Sequence, residues 1–144
     1  MKTILLTVFV SLSLFSCRVE EYEPVYTASD IHRIPYGETG VLAAGNYAGK
    51  GVAINSAGTT VIIEGVTTVD ALSILGIVEI PRGAVLISND VVAVTGGANI
   101  DVKGTLITQT FTQVGNTYVS GGYVEVNGKY TIGGGTTLYL ENSQ

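Results

Sequence analysis

Three carboxylates recur at matching places in the chain. Glu79, Asp101 and Glu125 each sit between two apolar residues, a few positions before a glycine. Stacked in a row, they could do one of two kinds of chemistry. Repelling carboxylates could take up a cation such as Ca²⁺, which prefers oxygen ligands, or a pair at the right separation could cleave a glycoside. A neighbouring row would hold Ala44, Glu64, Arg82, Lys103 and Asn127. Acids beside bases on a solvated sheet read first as solubilising pairs, which contribute about 0–1 kcal/mol each. The expectation is therefore no catalytic residue, no metal and no cofactor, with Glu79, Asp101 and Glu125 kept as candidate contact residues.

Tyrosine is the second resource, with eight copies and no tryptophan. Tyr118, Tyr123, Tyr130 and Tyr139 cluster near the C-terminus. The alternation of the surrounding residues turns Tyr130 inward and Tyr123 and Tyr139 outward. An outward tyrosine offers a flat apolar face with a polar tip, suited to a sugar or a protein surface. The same residues also serve as ordinary cross-strand packing. The single His32 has no second His and no nearby Cys, whereas a metal site needs several ligands, so it reads as surface or cap packing. Gly133-Gly134-Gly135 has no Lys or helix after it and reads as a turn, not a phosphate loop.

The chain's one cysteine, Cys17, closes a different pattern. Met1-Lys2 opens the chain with a positive charge, and a mostly apolar stretch runs to Phe15. That length suits a signal-peptide core and is short for a membrane-spanning helix. Leu14-Phe15-Ser16-Cys17 resembles the lipobox of bacterial lipoproteins, with Phe15 bulkier than the usual occupant. The resemblance implies removal of residues 1–16 and lipidation of Cys17, anchoring the chain in a lipid bilayer. Removing Lys2 with the leader shifts the net charge from −5 to −6. Glu20, Glu21 and Glu23 follow the cysteine closely, and this resembles the acidic export tag of surface lipoproteins in Bacteroidota. It implies an outer-membrane anchor facing the cell surface, with the periplasmic face as the alternative.

These residues must be positioned by a small scaffold. The chain has 144 residues, 46% of them apolar and 13% charged, with 19 glycines and 3 prolines. One domain is all that this length supports, and the balance favours short extended segments joined by tight turns. The negative charge argues against a nucleic-acid partner. Residues 17–40 carry two of the prolines and no sustained periodicity, and read as an acidic tether and a cap. Within them, residues 27–32 predict a short helical turn with Thr27 or Ser29 at its start.

From residue 41 the chain repeats. Val41-Leu42-Ala43-Ala44-Gly45, Val61-Ile62-Ile63-Glu64-Gly65, Val78-Glu79-Ile80-Pro81-Arg82-Gly83, Ile100-Asp101-Val102-Lys103-Gly104 and Val124-Glu125-Val126-Asn127-Gly128 share one design. A recurrent period of this kind marks a solenoid or an array. Further alternating runs follow each glycine, so each period holds about three short strands. The pattern predicts an all-β, single-domain parallel β-helix of about five coils over residues 41–144. An antiparallel β-sandwich is the alternative, because Asn127-Gly128 is also a hairpin signal. Alternation places Val61, Ile63, Val78, Ile80, Ile100, Val102, Val124 and Val126 on one inner face, with Val85, Leu106 and Tyr130 on the next. Leu42 and Ile62 would face outward. The glycine after each first strand should allow a corner with positive φ.

Pectate-lyase-like enzymes are similar in architecture, but fold alone does not transfer an activity. The repeats also resemble bactofilins, which are polymer-forming, and the β-helical adhesins of Bacteroidota. The functional expectation is an outer-membrane-anchored structural or adhesive lipoprotein, a rigid module for protein–protein or self-assembly contacts. A carbohydrate-binding accessory lipoprotein of a polysaccharide-uptake system is the alternative, and a polysaccharide lyase or hydrolase comes behind it. An open solenoid end exposes unpaired backbone and invites another chain, so the last coil is the place to look.

Overall fold

The computed structural model describes residues 23–141. The leader, the lipobox and Cys17 lie outside those residues, as do Glu20 and Glu21. No described helix is long and apolar enough to cross a membrane.

The chain winds into a parallel β-solenoid of about six turns. Each complete coil has one short and one long strand. The short strands are β1 (Val25–Tyr26), β2 (Thr39–Leu42), β4 (Thr60–Ile63), β6 (Ile77–Ile80), β8 (Asn99–Val102), β10 (Asn116–Ser120) and β12 (Leu138–Glu141). They stack in that order into one sheet. The long strands β3 (Gly45–Ile54), β5 (Val66–Ile74), β7 (Val85–Val94), β9 (Thr105–Gln113) and β11 (Tyr123–Ile132) form the second sheet. Every pairing among the described residues is parallel, which excludes the antiparallel sandwich.

Each long strand shifts register near its middle, between Ser88 and Val91 in β7 for example. Bulges of this kind bend a strand. The two halves of a long strand and one short strand then enclose the core from three sides, which accounts for the three strand-like runs read in each period. Asn127-Gly128 is such a bend inside β11, not a hairpin. Inward hydroxyls satisfy the backbone freed at the bends. The single Ser88 hydroxyl proton is shared between the carbonyls of Asp70 at 3.0 Å and Val91 at 3.1 Å, and Thr108 donates to that of Thr110 at 3.0 Å.

Alternate side chains fill the interior, as the pleat requires. Val61, Ile63, Val78, Ile80, Ile100 and Val102 are buried on the short-strand sheet. Burial of one such side chain stabilises the fold by about 1.5–3 kcal/mol. Several expected positions need correcting. Leu42 is buried and pairs with Ile63, so it faces inward. Leu86, not Val85, is the buried member of its row, directly above Leu106. The corner residues Pro81-Arg82-Gly83-Ala84 leave the strand geometry, so alternation cannot be carried across them. Val124 and Val126 pair with Leu106 and Thr108 of the long-strand sheet. Their expected places above Ile100 and Val102 belong to Thr117 and Val119.

Glycines act at the corners by two different means. Gly83 takes φ 84°, the left-handed region expected of it. Gly104 shows no positive φ. A side chain there would instead drive into the carbonyl oxygens of Ala84 and Pro81 in the coil below. The glycine is required for close approach, not for backbone freedom.

The two ends of the solenoid differ. At the N-terminal end, a 3₁₀ turn (Ile31–Arg33) lies against β3 and lowers Ala28, Ile31 and Ile34 onto the core. Its N-cap is Asp30, not Thr27 or Ser29. Thr27 instead donates from its hydroxyl to the Asp30 carboxylate at 2.9 Å. At Gly40 a Cβ would sit 2.6 Å from Ile34 Cδ1 and 2.7 Å from Tyr26 Cε2, so the missing side chain makes room for this cap. Strand pairing begins at Val25, upstream of residue 41.

Candidate functional site

Along the outer face of the short-strand sheet, one row runs Val41, Ile62, Glu79, Asp101, Tyr118, Tyr139. The expected acidic row is therefore two residues long. Glu125 is not part of it, because Glu125 pairs with Ile107 on the other sheet. Asp101 binds Lys103 at 2.9 Å. The hydrogen bond and charge of Asp101 hold the Lys103 ammonium above its usual range. Among the described residues no group of three His, Cys, Asp or Glu side chains is arranged to hold a metal ion. His32 is exposed beside the cap.

The row ends in an aromatic stack. Tyr118 and Tyr139 are parallel to within 6°, with ring centroids 4.7 Å apart. Tyr123 lies on β11 of the other sheet, so it forms no common platform with Tyr139. Its hydroxyl donates to the Glu125 carboxylate at 2.7 Å, and that bond pushes the phenol pKa up. Beside Tyr123 a shallow groove of about 390 Å³ is bordered by Arg82, Lys103 and the backbone of Gly121 and Gly122.

The C-terminal end is the more distinctive surface. A cavity of about 380 Å³ opens there, lined by Phe111, Val119, Val126, Tyr130, Leu138 and Leu140 among others. Phe111 closes its floor and is 1% exposed, whereas Leu140 is 66% exposed and Ile132 56%. Tyr130 faces inward as expected, but it pairs with Phe111 and is not in the row of Leu106, where Val124 stands, and it is 41% exposed because no coil among the described residues covers it. Its ring meets that of Phe111 at 5.3 Å. The Tyr130 hydroxyl donates to Gln113 Oε1 at 2.7 Å, and Gln113 Nε2 donates to the Thr137 carbonyl at 2.9 Å. Partial burial raises the Tyr130 pKa. Thr117, also on the cavity wall, has a buried hydroxyl with no partner among the described residues. Buried polar groups of this kind are uncommon and call for water or a binding partner.

The chain matches no protein-family model, and neither a curated protein nor a solved structure matches it. The candidate site therefore rests on geometry alone. Sequence reasoning missed Tyr118 as the partner of Tyr139. The signal was present: Thr117-Tyr118-Val119-Ser120-Gly121 repeats the design of the other coils with Thr in the first inward place.

Proposed function

We propose that this chain is a lipid-anchored structural or adhesive module. Cys17 carries the lipid, and the acidic residues that follow it, Glu20, Glu21 and Glu23, address the chain to the outer membrane, facing the cell surface. The solenoid is the rigid body, and its C-terminal end makes protein–protein contacts. One observation carries this reading. Both ends present strand edges, but Ala28, Ile31 and Ile34 plug the core at the N-terminal end, while the C-terminal end leaves an apolar cavity open among the described residues beside the edges of β11 and β12. Exposed strand edges are templates for another chain and are normally blunted. Large exposed apolar patches mark interaction sites. No catalysis enters this reading, since Asp101 is held by Lys103 and Glu79 has no second acid beyond Asp101 in its row.

Two measurements in producing cells test it. Labelling with an alkyne fatty acid should mark the full chain and should fail for Cys17→Ser. A photo-crosslinking amino acid at Leu140 should give protein adducts, whereas the same group at Thr68, outward in mid-stack, should give none. An unlabelled chain overturns the anchor, and absence of adducts at Leu140 overturns the contact surface.

A further inference from the structure

We infer that the C-terminal end pairs with the same end of a second copy, giving a closed twofold dimer. This rests on the reading of that end as a contact surface and names its occupant. Three observations select a second copy in this arrangement.

The first is the cap. Ala28, Ile31 and Ile34 occupy the N-terminal mouth, so one copy's open end finds no matching open end there. β1 and β3 keep strand edges at that end, but its core is plugged, so one apolar mouth meets another only tail against tail. Such a contact is self-complementary and closes at two subunits.

The second is the hydrogen-bonding pattern of the edge. In β11 the Tyr123 N–H donates to Gly104 at 2.9 Å, and beyond the strand the Gly133 N–H donates to Gln113 at 2.6 Å. Backbone groups alternate in direction along a strand. The N–H and C=O groups of Val124, Val126, Tyr130 and Ile132 therefore point away from β9, toward the open end. A twofold axis through the bend at Asn127 runs β11 antiparallel to its copy. Val124 then lies opposite Tyr130 of the second copy, and each presents free backbone groups to the other.

The third is charge. The same register sets Glu125 opposite Lys129 of the second copy, and Lys129 opposite its Glu125. Both side chains are on the outer face, at a pair without backbone hydrogen bonds, where facing residues approach most closely. Lys129 has no ion pair among the described residues. The two reciprocal pairs fix the register, and the apolar mouths of the two cavities face each other.

The test uses the full chain, purified from membranes in mild detergent, with its mass read by light scattering corrected for bound detergent. A dimer should form as concentration rises, with nothing larger. Glu125→Lys and Lys129→Glu each place like charges opposite one another and should weaken dimerisation at least tenfold, as charge clashes across interfaces do. An equimolar mixture of the two variants should recover a heterodimer, because both facing pairs are again opposite in sign. Recovery by mixing separates a broken contact from a failure to fold. A monomer at every concentration, growth beyond the dimer, single variants that dimerise like the parent, or a mixture that stays monomeric would each overturn the inference. Leu140 adducts to a different protein, with a monomeric parent, would sink the dimer and leave the broader reading standing. Absence of any adduct would sink both.

Discussion

Tyr118 and Tyr139 lie one above the other on adjacent coils, their rings 4.7 Å apart and 6° from parallel. Neither ring alone is well covered, with Tyr118 37% and Tyr139 51% exposed. The stack therefore fastens the outer side of the last short strand to the coil beneath it. Tyr139→Ala should lower stability by about 0.5–1.5 kcal/mol, the usual worth of an aromatic pair. Urea unfolding with circular dichroism measures this. Retention on polysaccharide affinity gels should stay unchanged, because the ring serves packing. A loss of retention without a loss of stability would favour the carbohydrate-binding alternative.

Gln113 performs the same fastening from inside. Its amide bridges Tyr130 and the Thr137 carbonyl, so it ties the loop before β12 to the coil below. Gln113→Ala should cost about 0.5–1.5 kcal/mol for each hydrogen bond lost, since Tyr130 and Thr137 can turn to water. The effect should be local. Hydrogen exchange should speed up through Leu138–Glu141 while Asn99–Val102 keeps its protection. Uniform acceleration across the stack would show that the last coil is not a separable unit.

The corner glycines separate two kinds of constraint. Gly104→Ala should be the most damaging of the set, by about 1–3 kcal/mol, since overpacking forces the backbone to move. Gly83→Ala meets no atom within 4 Å and should cost only the left-handed strain at φ 84°, about 1–2 kcal/mol. Gly134→Ala meets neither obstacle and should be nearly silent. Thermal melts of the three variants give the ranking.

How much of this was legible in the sequence depends on where the chain keeps strand geometry. Val78, Ile80, Ile100 and Val102 alternate cleanly, and their pairing is the one the repeat predicts. Legibility fails at corners and where a polar residue takes an inward place. Thr117 occupies such a place and is 1% exposed. The threonine hides this coil from an apolar-x-apolar pattern, which places Val124-Glu125-Val126 in its row instead. That displacement sets Glu125 in the acidic row and conceals Tyr118. The cavity is not legible, because its depth depends on how Phe111, Tyr130 and Leu138 pack, which no pattern of types encodes.

The register itself can be tested on adjacent residues. Leu42 is 1% exposed, while Val41 lies on the outer row beside Ile62. Leu42→Ala should cost about 2–5 kcal/mol, as a buried deletion does. Val41→Ala should cost much less. Equal costs, or the reverse order, would return the first coil to the register that the bare motif suggests. Denaturant midpoints at constant slope decide between them.

Tyr123 offers a pH signature of the outer face of β11. Its hydroxyl donates a hydrogen bond to the Glu125 carboxylate at 2.7 Å, and this holds the phenol pKa above the ordinary tyrosine value. A phenol whose folded pKa exceeds its unfolded value keeps its proton longer in the folded state. Its contribution to stability is complete below the unfolded pKa and falls away as pH rises through the folded one. In a difference titration against Tyr123→Phe, the Tyr123 absorbance change should come later than that of free tyrosine. Glu125→Gln should bring it earlier, because the negative charge that opposes phenolate is gone. If the proposed dimer forms, Lys129 of the second copy draws on the same carboxylate, and diluting the protein to monomer should raise the Tyr123 pKa. A titration independent of both the substitution and dilution would mean that Glu125 does not govern Tyr123 in solution.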